Sequence, residues 1–165
     1  MFEEIFSQFN LEIFWQLALA GFLGTLMGIE REIAKKKAGM RTFALVSLGS
    51  CLFSIISINA LRFLGDLGMV SFDPTRIASQ IVTGLGFLGA GIIIFDSSKL
   101  RGVTTAAGLW LAAAIGMAVG FKFYAVAIFT TIVALFIFVF LWAFEERIIK
   151  RFSYRPAGSD RRFED

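Results

Sequence analysis

The sequence predicts an all-α fold, a polytopic integral membrane protein with five transmembrane helices, and three observations support this prediction. Of the 165 residues, 57% are hydrophobic and 18% are charged, whereas soluble domains average roughly 45–50% and ~25%. The apolar residues are gathered into five separate runs. Each run is close to the ~20 residues that an α-helix needs to cross the hydrocarbon core of a bilayer.

The five runs define the predicted helices in chain order. We expect helices because lipid offers no hydrogen-bond partner to an open backbone. Glu3 and Glu4 precede the first run and no Lys or Arg does, so this run is expected to be kept rather than cleaved as a signal peptide. Residues 1–144 are predicted to form the transmembrane domain, and residues 145–165 a short basic cytoplasmic tail. The predicted helices cover residues 11–30, 42–64, 77–95, 103–119 and 123–144.

The distribution of Lys and Arg predicts the orientation of the chain. Thirteen of the 16 basic residues lie in regions 31–41, 99–101 and 147–162, which share one side of a five-helix arrangement. Cytoplasmic loops of membrane proteins carry such an excess of positive charge. The N-terminus is therefore predicted to lie outside and the C-terminus in the cytoplasm.

The composition also excludes several kinds of chemistry. The chain has no His and a single Cys, Cys51, which excludes His-based catalysis, His metal sites and an intramolecular disulfide. No nucleophile–base pair is recognisable, so we do not expect an enzyme or a bound cofactor, and Mg²⁺ is the one ligand left open. Basic loops explain the net charge of +3, so the expected surroundings are the lipid bilayer and not nucleic acid.

Paired glycines in two runs predict close helix packing. Gly24 and Gly28 lie four residues apart in the first run, and Gly116 and Gly120 do so in the fourth. Small residues at this spacing let helix backbones approach closely in lipid. We favour packing within the chain over a dimer face.

The third run contains four glycines within eight residues, at Gly84, Gly86, Gly89 and Gly91. They match the pattern G-x-G-x-x-G, but a dinucleotide site needs a preceding strand and an acid about 20 residues further on. Here the pattern lies inside an apolar run, and the next acid follows Gly89 by seven residues. We therefore expect either a close-packed helix or a locally broken one that lines a cavity.

Polar residues at the ends of the runs are the candidate functional residues. On the outer side Asp73 either caps the third helix or forms a site with Arg76 and Gln80, and we favour the site. Gln80 is also placed to bond Asn59 if the two helices turn these faces together. Ser residues at positions 47, 50, 54 and 57 share one helix face, for which packing is favoured over a polar pathway. The inner-side candidates are Glu30, Arg31, Arg41, Asp96, Arg101, Thr104 and Thr105.

Three ordered segments of the sequence resemble the MgtC/SapB family of membrane proteins. They are residues 28–42, residues 73–91 and residues 101–110. The resemblance implies a bacterial inner-membrane protein linked to adaptation at low magnesium and, in pathogens, to virulence. Phe43 departs from the family pattern, which often has His there. Longer members add a cytoplasmic C-terminal domain, and we expect this chain to be a short member that lacks it.

Two functions stay open at this point. The first is a non-enzymatic regulator that binds another membrane protein, such as an ATP synthase or a transporter, or a second copy of itself. The second is a transporter or channel for Mg²⁺ or another cation. Mg²⁺ favours carboxylate ligands, yet the acids Glu30, Asp73 and Asp96 are predicted at the edges of the membrane rather than at mid-span, where carrier sites are usually built. We favour the regulator.

Overall fold

A computed structural model describes residues 11–66, 73, 75–96, 99–141 and 144. Within them the chain forms five α-helices, which confirms the predicted all-α fold. The residues predicted to form the tail, 145–165, lie outside the described part. The helices are α1 (Leu11–Ile33), α2 (Met40–Asp66), α3 (Thr75–Ile92), α4 (Val103–Gly120) and α5 (Tyr124–Phe136), the last continued by a π-helical segment, Ile137–Leu141.

Four of these helices are long and apolar enough to cross a membrane, as expected for a helical membrane protein. They are α1, the Met40–Ala60 part of α2, α4, and α5 with its π-helical continuation. The 18-residue α3 is not among the four, because Arg76, Gln80 and four glycines lower its apolar content. A crossing by α3 and the N-out, C-in orientation stay predictions from the sequence.

The third predicted helix, residues 77–95, is wrong at its C-terminal end. The helix ends at Ile92, and the chain then forms a two-stranded antiparallel hairpin, β1 (Ile94–Asp96) with β2 (Lys99–Arg101). Successive β-branched Ile residues favour extended backbone. Gly102 closes the hairpin against α4 with a φ of 95°, and a Cβ there would overlap the carbonyl oxygen of Ile92, so only glycine fits.

The core lies between α1, α2 and α4. The most extensive contacts are those of α2 with α1 and with α4, whereas α3 packs mainly against α4 at the edge of the bundle. Phe43 is the largest fully buried side chain. Many apolar side chains on the outside of the bundle are exposed, including Phe87 and Phe129, as is typical of a surface that faces lipid.

Glycines on α1 and α4 allow these helices to pack closely against α2. A Cβ at Gly24 would lie 2.6 Å from the carbonyl oxygen of Phe43, and one at Gly28 would lie 2.5 Å from the Cα of Met40. On α4, a Cβ at Gly116 would overlap the carbonyl oxygen of Ser47. Contacts of this kind lie within the chain, as the four-residue spacing predicted.

Candidate functional site

A small pocket lies where the C-terminal ends of α1 and α5 meet the N-terminal end of α4. Its volume is about 280 Å³. We call it the basic pocket, and its charged and polar groups are accompanied by apolar side chains from the continuation of α5. It is lined by Arg31, Lys36, Gly102, Thr104, Thr105, Ile137, Phe138 and Leu141.

Arg31 is the most buried charged side chain of the basic pocket. It lies in the last turn of α1 and is only 3% exposed. Its Nε donates to the carboxylate of Glu30, and its guanidinium lies 3.8 Å from the ring centroid of Phe138. The ion pair and the cation–π contact together offset the cost of burying the charge. They also fix the plane of the guanidinium at the pocket wall.

The N-terminus of α4 supplies the polar wall of the basic pocket. Gly102 is the N-cap residue and provides no side-chain cap. The first intrahelical bond is donated by Ala106 to the carbonyl of Gly102, at 2.9 Å, so the amides that precede it lack helical acceptors. Thr104 is exposed, and Thr105 is 3% exposed. The Thr105 hydroxyl has no hydrogen-bond partner within the described part of the chain.

The loop between α1 and α2 holds Lys36 at the basic pocket. The Lys36 amide donates to the carbonyl of Arg31 at 2.9 Å. Glu32 closes the other side of the loop, because its Oε2 accepts a bond from the Met40 amide at 3.0 Å. Glu32 therefore caps α2 from the preceding helix. Sequence reasoning did not assign it this role, because the eight-residue separation has no local signature.

The outer candidates do not assemble into one site. Asp73 Oδ1 accepts bonds from the Thr75 hydroxyl at 2.7 Å and from the Thr75 amide at 2.8 Å. These two bonds, the side-chain one first, lower the pKa of Asp73, and the charge of Arg76 adds to the shift. This is the geometry of a helix cap, whereas the sequence favoured a site that Asp73 forms with Arg76 and Gln80. Arg76 and Asp73 are both exposed.

Gln80 instead lines an apolar groove of about 580 Å³ between α2 and α3. The bond to Asn59, which required the two helices to turn these faces together, is not formed, because Asn59 Nδ2 donates to the carbonyl of Ile55 in its own helix, at 2.9 Å. We call this cavity the α2–α3 groove. Its wall consists of Leu45, Val46, Gly49, Ser50 and Phe53 of α2 and Ile77, Gln80, Ile81, Gly84, Leu85 and Leu88 of α3.

Glu30, Arg41 and Arg101 are not lining residues of the basic pocket, and the side chain of Asp96 lies outside the described part of the structure. Glu30 reaches it only through its ion pair with Arg31. Arg41 is exposed in the first turn of α2. Asp96 ends β1 opposite Lys99, and Arg101 is exposed at the end of β2. The structure thus brings together Arg31, Thr104 and Thr105 of the seven.

The glycines of α3 are less closely packed than the sequence predicts. At Gly84, Gly86 and Gly91 a Cβ would meet no described atom within 4 Å, and at Gly89 it would make an ordinary contact of 3.5 Å with Ala106. The helix is nevertheless continuous from Thr75 to Ile92. The three unpacked glycines therefore lie on the uncovered surface of α3, which we call its open face, because only one side of this edge helix is covered. At about 3.6 residues per turn, Gly84 and Gly91 point to one side of this surface and Gly86 to another, and Gly84 also lines the α2–α3 groove.

The similarity of the chain to known proteins decides its family. The model of the MgtC family matches residues 17–147. The chain belongs to the MgtC family. It is 40% identical to YhiD of Escherichia coli over 126 residues, which are 76% of this chain and 59% of that protein. It is 38% identical to SapB of Bacillus subtilis over 68% of this chain and 49% of that protein, and 45% identical to MgtC of Brucella abortus over 63% and 40%.

The matched region spans between two fifths and three fifths of the length of these MgtC-family relatives. It includes both the basic pocket up to Leu141 and the α2–α3 groove. No solved structure matches the chain significantly.

Phe43 of this MgtC-family chain is a packing residue. It is fully buried, and atoms of its ring lie 3.1 and 3.2 Å from where a Cβ of Gly108 would be. Phe43 forms no hydrogen bond through its side chain, because its ring fills the space between α2 and α4 and carries no hydrogen-bonding group.

Gln16 is a structural residue that sequence reasoning missed. It is 2% exposed in α1, and its Nε2 donates to the carbonyls of Val119 and Gly120 at 2.9 and 3.2 Å. These bonds attach α1 to the end of α4. An amide within an apolar run was the available signal, since buried polar groups in membranes pair with other helices.

The serine face of α2 is buried, as its spacing predicted. All four serines are no more than 4% exposed, and the Ser54 hydroxyl donates to the carbonyl of Ser50 at 2.9 Å. The Ser47 Oγ has no partner among the described residues. The face therefore serves mainly to let α1 and α4 approach the α2 backbone.

Proposed function

We propose that this chain is a non-enzymatic regulator in the bacterial inner membrane, linked to magnesium homeostasis and acting through a membrane-protein partner. Its membership of the MgtC family supports the link to magnesium. Its matched relatives are longer, so the proposal concerns this chain alone. The proposal covers three kinds of partner, namely an ATP synthase, a transporter or a second copy of this chain.

The observation that carries the proposal is the close packing of the bundle centre. Along α4, Gly116 contacts the backbone of Ser47, and a Cβ at Gly120 would lie 2.6 Å from the Cβ of Ser54. On the other side, Gly24 contacts the backbone of Phe43. Mg²⁺ keeps several of its water molecules when it is bound, and helices in backbone contact leave no space for such an ion between them.

The open face of α3 is the surface that favours a protein partner. Gly84, Gly86 and Gly91 present backbone with no described neighbour within 4 Å, and the exposed Gln80 lies on the same helix. In lipid, glycine faces and amides are the features that stabilise helix association. A helix of another membrane protein would supply both contacts.

A cation transporter is the second candidate function, and the name of one relative favours it. YhiD of Escherichia coli carries a name that makes it a candidate magnesium transporter. In the present chain Asp73 is exposed and serves as a cap, and Glu30 is paired with Arg31. Neither carboxylate lies at mid-span, where ion sites of carriers are usually built.

Flux through the purified protein separates the two candidates. The full chain is reconstituted into liposomes that contain a fluorescent Mg²⁺ indicator, and a purified magnesium channel serves as the positive control. We expect no influx above that of empty liposomes. Influx that depends on the amount of protein would overturn the regulator and establish transport.

A matched pair of variants tests the partner surface. Gly86→Leu enlarges the open face of α3, and Ala125→Leu enlarges an exposed position on α5. Both variants are expected to fold with a thermal midpoint close to that of the native chain. Only Gly86→Leu should fail to restore growth of a deletion strain at limiting magnesium. Full rescue by Gly86→Leu at normal membrane levels would remove the α3 face from the proposal.

A further inference from the structure

The described lining residues of the basic pocket supply several hydrogen-bond donors. Three of its lining groups are a guanidinium, an ammonium and a buried hydroxyl, from Arg31, Lys36 and Thr105. A fourth is the N-terminus of the 18-residue α4, which has no side-chain cap. Free amides and the helix dipole make such a terminus attractive to anions.

Thr105 provides an observation that is independent of the helix terminus. Its side chain is 3% exposed and lines the pocket, yet no described residue bonds its hydroxyl. The hydroxyl faces a pocket at the loop end of the bundle, beside exposed Lys36, and buried polar groups usually bond protein, water or a ligand. For comparison, the equally buried Thr131 donates to the carbonyl of Ala127 at 2.8 Å. Thr105 therefore lacks a partner that the pocket has room to hold.

The charges at the pocket favour an anion. Among the described residues, Glu30 is the acid that contacts a lining group, and its carboxylate is taken by the Arg31 Nε. The Nη atoms of Arg31 have no acceptor within the described part of the chain, and Lys36 adds a second positive charge. Arg31 and Lys36 together outweigh Glu30 by one charge, before the α4 dipole is counted.

The shape of the wall indicates which anion fits. Guanidinium groups and helix N-termini suit the several oxygens of a phosphate group. The same pocket is lined by Ile137, Phe138 and Leu141, of which Ile137 and Leu141 are also exposed on the outside of the bundle. A phosphate group that is attached to an apolar tail would contact both the polar and the apolar lining groups.

We propose that the basic pocket is a binding site for a phosphate group, contributed either by an anionic lipid headgroup or by free phosphate. The phosphate oxygens accept hydrogen bonds from Arg31 Nη, the Thr105 hydroxyl and the first amides of α4, and Lys36 supplies charge. This site does not depend on whether the chain transports or regulates.

Thermal unfolding of the purified full chain in maltoside detergent tests the site. Potassium phosphate is titrated against potassium chloride at equal ionic strength in one arm. In the other arm, phosphatidylglycerol is titrated against diacylglycerol of the same chain length, which lacks the phosphate. We expect a saturable rise in the unfolding midpoint of about 5–10 °C at a hundredfold excess over the dissociation constant.

The two arms identify the source of the phosphate. A rise with phosphatidylglycerol alone assigns the site to a lipid headgroup, and a rise with inorganic phosphate alone assigns it to the free anion. A rise with both leaves the shared chemistry as proposed. No saturable rise in either arm overturns the proposal.

Two matched pairs of variants locate the site. Lys36 and Lys37 are both exposed loop lysines, but only Lys36 lines the pocket. Lys36→Gln should weaken binding about fivefold, as for the loss of an exposed charge pair, and Lys37→Gln should leave it within about twofold. Equal losses would show general attraction to the basic loop and overturn the site.

The second pair removes one buried hydroxyl in each case. Thr105→Val is expected to weaken phosphate binding about tenfold, while Thr131→Val leaves the affinity unchanged even where it lowers the unfolding midpoint. Unchanged affinity in Thr105→Val would contradict the role of this hydroxyl. If Thr105→Val does not fold, the lysine pair still decides the outcome.

Discussion

The closest helix contact of the bundle predicts the effect of adding one methyl group. Gly116→Ala places a Cβ 2.7 Å from the carbonyl carbon of Ser47 and 2.9 Å from its Cα. Ordinary contacts of a Cβ begin near 3.4 Å. The Ser47 carbonyl oxygen would lie closer still. Because the opposing atoms are backbone, no rotamer change relieves the overlap, and α4 must move away from α2 by about 1 Å or more.

A displacement of this size has a measurable free-energy cost. A gap of 0.5–1 Å forfeits about a quarter to a half of each dispersion contact that it opens, and overpacking in cores costs about 1–3 kcal/mol. For a chain of this length each 1 kcal/mol lowers the unfolding midpoint by about 2–4 °C. Gly116→Ala should therefore lower the midpoint by about 2–12 °C.

Gly86→Ala is the matched control for this prediction. It makes the same chemical change within a helix, but its Cβ would meet no described atom within 4 Å. We expect its midpoint within about 2 °C of the native value, since alanine also has the higher helix propensity. Both variants are measured by fluorescence-detected thermal unfolding in the same detergent. Equal midpoints for the two variants would refute the close-packing argument.

Three further predictions concern buried hydrogen bonds, the α3 cap and the topology. Gln16→Leu should lower the free energy of unfolding by about 1–3 kcal/mol, because two interhelical hydrogen bonds are lost. Gln80→Leu, at an exposed position, should leave the free energy of unfolding unchanged. Similar denaturation curves for the two variants would contradict this. Asp73→Asn should keep the cap and full growth at low magnesium. The bonds from Thr75 hold the pKa of Asp73 below the ordinary value of 3.8. The stabilisation of the folded state by the Asp73 carboxylate is therefore present above pH 3.8 and is lost as the pH falls through the lowered pKa. Acid should thus lower the unfolding midpoint of the native chain more than that of Asp73→Asn. A reporter that is active only in the periplasm should be active when fused after Lys122 and silent after Asp165, and the reverse pattern would contradict the five-span orientation.

Local spacing was sufficient to predict some of the packing. The serine face of α2 was predicted correctly because steps of three and four residues place side chains on one side of any helix. Gly24 and Gly116 likewise lie four residues from a second glycine, and both contact α2. In each case the information is contained within one helix.

The same reasoning did not extend to α3 and to the outer residues. Gly86 is chemically identical to Gly116, but its neighbours depend on which helix lies beside α3. Asp73 was expected to form a site because it shares a face with Gln80, yet its oxygens are used locally by Thr75. Whether Asp73 caps the helix or forms a site depends on which donors lie within hydrogen-bond distance of its carboxylate. Spacing in the sequence does not specify this.

The sequence by itself determined that the chain is a helical membrane protein, because the length and apolar content of its runs depend only on bilayer thickness and backbone hydrogen bonding. Its three motifs also determined the family. Only the tertiary structure decided which ends of the helices meet. The basic pocket joins Arg31, Thr105 and Phe138, which are far apart in the sequence, and no local pattern encodes their contact. Such contacts follow from how α1, α4 and α5 pack, and that packing depends on the shape of whole helix surfaces.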